Sequence, residues 1–194
     1  MTKLTGFKQI KTAVFISGRG SNLKNLIKFS KKKKFPLNIN LIVSNKKNAQ
    51  GLIYAKKYNI KKKFINFSNL KNGEKNLIYL LKKEKINFIC LAGFMMILSS
   101  NFIKKFKGKI INIHPSLLPK YKGLDTHNRV IENNEKFSGC TVHYVTSKLD
   151  SGKIILQKKI KIKKNDTSKT LEKKILQKEH ILYPLAIKKI FSNL

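Results

Sequence analysis

Short apolar runs alternate with amphipathic segments through most of this 194-residue chain. The apolar runs, which are typical of buried strands, lie at 13–16, 39–43, 63–66, 86–91 and 109–113. The segments with the apolar spacing of helices lie at 22–29, 49–58, 74–85 and 102–106. This alternation predicts an α/β fold, with a doubly wound, mostly parallel, Rossmann-like sheet that is flanked by helices.

The pattern changes after His114. A helix near 129–133 precedes two further apolar runs, 141–145 and 154–160, which we expect to add strands beside the parallel core. A final helix should begin at Thr167 or Ser168 and run toward Ile190, with Pro184 kinking or interrupting it. No linker divides the chain, so we expect one domain over residues 1–194, with residues 1–11 as a loose N-terminal extension.

Composition excludes several classes of protein. A hydrophobic content of 41% is typical of a globular chain, and the longest apolar stretch, 88–98, is too short to span a bilayer. The N-terminus has no apolar segment long enough for a secretory signal. Cys90 and Cys140 lie in apolar runs and are typical of buried thiols in a reducing compartment, so we expect a cytoplasmic location. Cysteine and histidine spacing predicts no metal site.

A formal net charge of +34 points at first to nucleic acid. Nucleic-acid sites favour arginine for bidentate contacts, however, and among 43 lysine and arginine residues only Arg19 and Arg129 are arginine. The lysines are also spread along the whole chain, as in proteins from AT-rich genomes. We therefore expect no specific nucleic-acid partner and no membrane partner, although a basic nucleic-acid-binding module stays open as an alternative.

Asn112 and His114 stand at the end of the fifth apolar run, just before a loop that contains Pro115 and Pro119. Residues i and i+2 of a strand point to the same face, so the two side chains should project together. An amide can stabilise a developing oxyanion, and an imidazole can move a proton. The alternative is a strand end with a polar cap and a structural histidine.

The first strand-to-helix turn is rich in glycine. It reads Ser17-Gly18-Arg19-Gly20-Ser21-Asn22-Leu23, and free amides at the start of the following helix suit a phosphate. Leu23 replaces the third glycine of a dinucleotide-binding fingerprint, and no Lys-Ser/Thr pair follows as in a Walker loop. The alternative is a glycine turn in which Ser21 or Asn22 caps the helix.

Three further features have two interpretations each. Asp150 is either a turn former or a carboxylate that meets His114, orients it and raises its pKa. The segment 95–98 is either core or the wall of an apolar pocket for a flat heterocycle. His127 and His143 are structural or pocket-lining, and His180 is structural.

Taken together, these segments resemble the folate-dependent formyltransferase family, in its phosphoribosylglycinamide formyltransferase branch. The similarity runs from about residue 13 to residue 185. The stretch Asn112-Ile113-His114-Pro115-Ser116-Leu117-Leu118-Pro119 is shared by the wider family, and the Gly20-Ser21-Asn22-Leu23 turn points to the glycinamide ribonucleotide branch. Further matching segments lie at 91–95, 123–127, 142–145, 149–152 and 177–185.

The resemblance implies roles for particular residues. Asn112, His114 and Asp150 would be catalytic, and Gly20, Ser21 and Asn22 would bind the substrate phosphate. Other substrate contacts would come from Leu176, Gln177, Lys178 and Glu179. The folate pocket would be lined by Met95, Met96, Ile97, Leu98, Asn112, Thr146, Ser147, Lys148, Leu149 and Asp150.

The resemblance also implies an activity, namely formyl transfer from 10-formyltetrahydrofolate to the amine of glycinamide ribonucleotide in purine biosynthesis. The folate would be a cosubstrate, with no permanently bound cofactor and no metal. The partners would be these two small molecules, with the chain a monomer or a homodimer. Family members often carry arginine where Met96 stands. A sibling enzyme that uses formyltetrahydrofolate is the alternative within the family.

The charge argument can be tested by filter binding of an oligonucleotide at two salt concentrations. A generic polycation that contacts six or more phosphates loses about 1,000-fold in affinity between 50 and 200 mM salt. We expect a loss of this size. Sequence-selective binding that survives 200 mM salt would instead support the nucleic-acid-binding alternative.

Overall fold

Seven strands form one sheet in the computed structural model, which describes residues 9–192. In chain order they are β1 (Ile10–Ile16), β2 (Leu37–Ser44), β3 (Lys61–Phe64), β4 (Phe88–Leu91), β5 (Lys109–His114), β6 (Phe137–Tyr144) and β7 (Ile154–Lys161). Their order across the sheet is β3-β2-β1-β4-β5-β6-β7. The first five strands are parallel, and β6 and β7 add antiparallel pairings at one edge, which confirms the predicted fold class.

Four helices follow the first four strands, one lies between β5 and β6, and one follows the last strand. They are α1 (Ser21–Ser30), α2 (Ile53–Lys57), α3 (Leu70–Lys83), α4 (Ser100–Lys105), α5 (Thr126–Glu132) and α6 (Ser168–Ile190), with a 3₁₀ turn at Gln50–Leu52 before α2. Two of them begin earlier than their apolar spacing predicts, because a polar side chain caps each one. The Asn69 side chain accepts from the backbone N–H of Asn72 at the start of α3, and Ser99 accepts from Phe102 N–H at the start of α4.

The sheet buries a core on each of its faces. Alternate residues of β1 point to opposite sides, so that Val14 and Ile16 join the core under α1 and α6. Ala13 and Phe15 join the second core, with apolar residues of α3 and α4. Burial on both faces explains why the central strands carry almost no polar residues.

The predicted N-terminal extension is wrong for its last residues. β1 begins at Ile10, which pairs with Leu37 of β2, so residues 10 and 11 belong to the sheet. The Gln9 side chain donates to the carbonyl oxygens of Ser30, Phe35 and Leu37. The part of this prediction that concerns residues 1–8 lies outside the described residues.

The last helix is continuous through Pro184, so the predicted interruption is wrong. Thr167 is its N-cap, as predicted, and forms a reciprocal pair of hydrogen bonds with Thr170. Among residues 9–192, no helix is both long enough and apolar enough to cross a bilayer.

The carboxyl ends of β1 and β4 mark the place where the chain reverses its direction across the sheet. The chain moves outward from β1 to β3 and then returns to β4 on the other side of β1. In open α/β sheets such a reversal leaves a crevice outside the strand ends, where ligands bind. Here Ser17 lines one wall of the crevice and donates its backbone N–H to the Gly93 carbonyl at 2.9 Å.

Tyr183 attaches α6 to the centre of the sheet. Its ring is fully buried, and its hydroxyl lies 2.9 Å from the Leu91 carbonyl oxygen and 3.3 Å from that of Ile111. One proton is thus shared between the ends of β4 and β5. Both strands lead directly into the crevice, so this contact fixes their spacing there.

We expect Tyr183→Phe to lower the free energy of unfolding by about 1–3 kcal/mol, because it removes a buried hydrogen bond and leaves its acceptors less satisfied. Urea denaturation measures this loss. Tyr79→Phe is the matched control, since Tyr79 is 70% exposed, and its effect should stay within about 0.5 kcal/mol. Equal effects of the two substitutions would contradict the assigned role of Tyr183.

Candidate active site

The glycine-rich turn after β1 forms the floor of a cavity of about 380 Å³. Gly20 is the N-cap of α1 and has φ +72°, and a Cβ placed there would lie 2.7 Å from Gly51 Cα. Only glycine fits this position without displacing backbone. The α1 N-cap is therefore Gly20, so the alternative in which Ser21 or Asn22 caps the helix is wrong.

Charged side chains of both signs face this cavity, which we call the phosphate-loop cavity. Arg19 and Lys46 supply positive charge, and Glu172 and Glu179 come from α6 on the opposite wall. Arg19 forms an ion pair with Glu172 across the cavity. Two cations and the free amides at the start of α1 make the cavity suited to an anionic group.

The predicted substrate-binding residues divide between two faces of α6. Leu176 and Glu179 line the phosphate-loop cavity together with Gly20, Ser21 and Asn22. Gln177 is exposed and Lys178 is half-buried, and neither belongs to the lining. Residues three and four apart share one face of a helix, which explains why Glu172, Ile175, Leu176 and Glu179 line the cavity while Gln177 and Lys178 do not.

Glu179 is the buried carboxyl group of this cavity. It is 7% exposed and accepts a hydrogen bond of 2.7 Å from the Asn22 side chain. Burial raises the pKa of Glu179 to about 7, although the bond from Asn22 opposes the rise. One N–H of the Asn22 amide is used here, which leaves the second amide N–H and the backbone N–H of Asn22 for a ligand.

Asn112, His114 and Asp150 come together at the end of β5. His114 Nδ1 lies 3.3 Å from Asp150 Oδ2, and Asn112 Nδ2 lies 3.5 Å from Asp150 Oδ1. The His114 and Asp150 side chains are 6% and 8% exposed. Two segments that are distant in the sequence, the end of β5 and the turn at Asp150, thus place an amide, an imidazole and a carboxylate around one point.

The two nitrogens of His114 have different surroundings. Nε2 donates to the Tyr121 carbonyl oxygen at 2.8 Å, so this nitrogen carries the hydrogen of the neutral ring. Nδ1, beside Asp150, is then the nitrogen that gains and loses a proton. A proton on Nδ1 forms an ion pair with Asp150.

The pKa of His114 is lowered, and not raised as the sequence predicted. Burial is the largest cause, since it disfavours the charged ring. The Tyr121 carbonyl and the Asp150 carboxylate both raise the pKa, but they offset burial only in part. Asp150 thus acts in the predicted direction, but the net shift of the His114 pKa is away from the imidazolium form.

Asp150 stays ionised at this position. Burial alone would raise its pKa, but contacts with His143, the Gly123 N–H and the charge on His114 together hold the pKa below its ordinary value. The Gly123 N–H donates to Asp150 Oδ2 at 2.9 Å. Asp150 has φ +44°, a left-handed conformation that aspartate tolerates better than most residues.

His143 orients the Asn112 amide. The two residues face each other across the β5–β6 pairing, and Asn112 Nδ2 lies 3.3 Å from His143 Nε2. His143 Nδ1 donates to the Tyr144 carbonyl oxygen at 2.9 Å, and His143 Nε2 also lies 3.5 Å from Asp150 Oδ1, which places the Asn112 amide nitrogen beside both groups. The amide group therefore directs its N–H groups toward the site.

A second cavity, of about 80 Å³, adjoins this cluster, and we call it the apolar cavity. The predicted folate-pocket residues that line it are Met96, Ile97, Leu98, Asn112, Thr146, Lys148, Leu149 and Asp150. Met95 lines the phosphate-loop cavity instead, and Ser147 lines neither of the two cavities. Ile97 is 62% exposed and Leu149 48% exposed, so the rim is an apolar surface open to a ligand.

Sequence reasoning missed several groups of the site. His143 could have been placed beside Asn112 if the β5–β6 register had been known. The Tyr121 carbonyl and the Gly123 amide are backbone groups, and no residue type signals them. Within the described part of the chain, no group of three or more histidine, cysteine, aspartate or glutamate residues is arranged to hold a metal ion.

Comparison with known proteins gives a consistent result. Residues 10–187 match the family model described as formyl transferase. The chain is 41% identical over 181 residues to phosphoribosylglycinamide formyltransferase of Haemophilus influenzae, and the match covers 92% of this chain and 85% of that protein. It is 39% identical over 189 residues to the human trifunctional purine biosynthetic protein adenosine-3, which covers 96% of this chain but only 19% of the relative.

The chain thus spans about a fifth of the length of the trifunctional relatives. Solved structures agree with the sequence matches. Phosphoribosylglycinamide formyltransferase from Anaplasma phagocytophilum superposes with a TM-score of 0.89 at 38% identity, covering 96% of this chain and 88% of that one. The enzyme of that name from Brucella melitensis also gives 0.89, at 40% identity, with coverage of 94% and 96%.

The raised pKa of Glu179 makes a prediction about stability. Native Glu179 keeps its proton up to about pH 7, whereas the unfolded chain loses it near pH 4.5. The contribution of Glu179 to the free energy of unfolding is therefore fully present below pH 4.5 and is lost as the pH rises through 7. As the pH rises from 5 to 8, we expect the free energy of unfolding of Glu179→Gln to increase by about 2–3 kcal/mol relative to that of the unmodified chain.

Urea denaturation at pH 5 and pH 8 checks this difference. Glu132→Gln is the control, because Glu132 is exposed and its substitution should give the same change with pH as the unmodified chain. A Glu179→Gln curve that runs parallel to the unmodified one would show that Glu179 ionises normally.

Proposed function

This chain belongs to the formyl transferase family, and from that membership we propose that it transfers a formyl group from 10-formyltetrahydrofolate to the amine of glycinamide ribonucleotide, a step of purine biosynthesis. The observation that carries the proposal is the Asn112–His114–Asp150 cluster between a charged cavity and an apolar one. The ribonucleotide carries a charged phosphate that suits the first cavity, and the folate carries a flat ring that suits the second.

The ribonucleotide occupies the phosphate-loop cavity. Its phosphate accepts from the free amides at the start of α1, near Arg19 and Lys46. The dianion competes with Glu172 for Arg19, so the Arg19–Glu172 ion pair opens when substrate binds. Glu179, whose pKa is about 7, is able to donate or accept a hydrogen bond to the sugar or the amide of the substrate.

The folate occupies the apolar cavity. Its flat ring packs against Met96, Ile97 and Leu98 after β4, and the segment at 146–150 closes the other side. The segment after β4 serves both cavities, since Gly93 and Met95 face the phosphate-loop cavity while Phe94 and Met96 face the apolar one. The formyl group therefore meets the amine beside Asn112 and His114.

In the reaction the substrate amine attacks the formyl carbon, and the carbonyl electrons move to the oxygen. One Asn112 N–H stabilises this oxyanion. The Asn112 hydrogen that faces Asp150 is the available one, because its 3.5 Å contact is at the limit of a hydrogen bond.

His114 carries the proton from the substrate amine to N10, the folate nitrogen that holds the formyl group. It enters neutral because its pKa is lowered, and Nδ1 takes the proton that the attacking amine releases. Asp150 then pairs with the imidazolium ring. The carbon–N10 bond breaks as this proton passes to N10, and tetrahydrofolate leaves as the spent cosubstrate. The cluster also holds both reactants in attack geometry, which contributes much of the rate.

The compartment and partners follow from the same proposal. The two free, buried cysteines suit a reducing cytoplasm, and both substrates are small molecules. A monomer or a homodimer satisfies the site equally, because all of the groups described here come from one chain.

A formyl-transfer assay with the two named substrates tests the proposal. We expect His114→Ala and Asp150→Asn each to reduce kcat/KM by more than about 100-fold, since general acid–base groups contribute this much. Glu84→Gln is the control, because Glu84 pairs with Lys61 at the opposite edge of the sheet, and it should retain full activity.

Two outcomes would contradict the proposal. Full turnover in both His114→Ala and Asp150→Asn would remove the assigned mechanism. Release of formate from 10-formyltetrahydrofolate without transfer to the ribonucleotide would identify the unmodified chain as a hydrolase of the same family.

A further inference from the structure

Arginine is almost absent from this chain, yet one of its two arginines, Arg129, lies behind the catalytic cluster. Arg129 is in the last turn of α5 and is half-buried. Its Nη1 donates to the Lys122 carbonyl oxygen at 2.7 Å and to the Leu124 carbonyl oxygen at 3.2 Å. The guanidinium also lies 5.4 Å from the centre of the Tyr121 ring.

The segment that Arg129 holds is the one that supplies backbone partners to the cluster. The Tyr121 carbonyl accepts from His114, and the Gly123 N–H donates to Asp150. Residues 121 and 123 thus contact the cluster, while the carbonyls of residues 122 and 124 contact Arg129. We call residues 121–124 the backing loop.

The backing loop needs external support. Tyr121 has φ +55°, a left-handed conformation that is costly for a bulky residue. The Tyr121 hydroxyl donates to Glu135 at 3.0 Å, and the Arg129 guanidinium lies against the ring. Without these contacts the loop would relax to ordinary φ values, and the Tyr121 carbonyl would turn away from His114.

A lysine at position 129 would not make the same contacts. The guanidinium is planar, directs several N–H groups at fixed angles and stacks on an aromatic ring, whereas an ammonium group is a single point charge on a flexible stem. Apart from Arg19, all the other lysine or arginine positions of the chain are lysine, and a lysine at position 129 would supply the same positive charge. The contacts at position 129 use the geometry of arginine and not only its charge.

We propose that Arg129 is a positioning residue for formyl transfer, which holds the backing loop so that the Tyr121 carbonyl and the Gly123 amide orient His114 and Asp150. This inference rests on the proposed function. Arg129 touches neither substrate cavity, so its effect passes through the two catalytic side chains.

Kinetics of Arg129→Lys and Arg129→Gln test the proposal. We expect both to lower kcat by about 10- to 100-fold, because a small misplacement of catalytic groups has an effect of this size, while KM for both substrates stays within about threefold. Glu132→Gln, on the same helix but exposed, should match the unmodified chain. Full activity in Arg129→Lys would show that charge alone suffices and would overturn the proposal.

A double substitution separates positioning from a general structural effect. In a His114→Ala background, Arg129→Gln should change the rate by less than about twofold, because Asp150 acts on the reaction through His114 and that side chain is gone. A loss as large as in the unmodified background would show that Arg129 acts elsewhere and would overturn the proposal.

Amide hydrogen exchange gives a readout that does not depend on activity. We expect the Gly123 N–H to exchange at least about tenfold faster in Arg129→Lys and Arg129→Gln, and at the original rate in Glu132→Gln. Unchanged exchange in both Arg129 variants would overturn this inference. Absence of formyl transfer by the unmodified chain would overturn the proposed function instead, and the exchange rates would then decide this inference alone.

Discussion

Hydrogen bonds at Ser17 hold together the ends of three strands, and the geometry of both cavities depends on them. The Ser17 N–H donates to the Gly93 carbonyl, and its hydroxyl accepts from the Met95 N–H at 2.8 Å and donates to Asn45 at 2.6 Å. These contacts connect the segments that follow β1, β2 and β4. The glycine turn follows Ser17 in the chain, and the apolar segment 94–98 follows Gly93. One buried serine therefore fixes the distance between the phosphate-loop cavity and the apolar cavity.

The few carboxylates of this strongly positive chain are almost all paired. Eight of the nine acidic side chains form an ion pair or a hydrogen bond with another side chain. Lysines also occupy the two edge strands, at 61–63 in β3 and at 158, 159 and 161 in β7. Lysines on edge strands oppose pairing with other chains, so part of the charge excess protects the sheet edges.

The sequence predicted the fold well because hydrophobic periodicity is a local property. The alternation of strands and helices, the two added strands and the Thr167 cap all follow from neighbouring residues. Boundaries were less accurate, since side-chain caps at Asn69 and Ser99 and pairing of Ile10 with β2 set them. The position of Asn112 next to His114 followed from strand periodicity, but the approach of Asp150 depends on long-range folding that no local pattern encodes.

Electrostatics could not be predicted from residue types. The sequence places a carboxylate with a histidine and thereby suggests a raised pKa, but burial of His114 outweighs that attraction. Likewise, Glu179 has an ordinary-looking place on an amphipathic helix, but its burial raises its pKa to about 7 although the hydrogen bond from Asn22 opposes the rise. A pKa depends on how much water a side chain loses, and this quantity is set by the packing of the whole domain.

The opposing effects at His114 suit the role that we propose for it, in which the ring both takes and releases a proton. A histidine dominated by Asp150 would remain protonated and could not accept a proton from an amine. A buried histidine without Asp150 and the Tyr121 carbonyl to raise its pKa would hold no proton long enough to pass it to a leaving nitrogen. Because burial lowers its pKa while Asp150 and the Tyr121 carbonyl raise it, His114 stays closer to the balance that efficient proton transfer requires. The two partners that supply the opposing effect both depend on the backing loop, since Tyr121 belongs to it and Gly123 holds Asp150 in place.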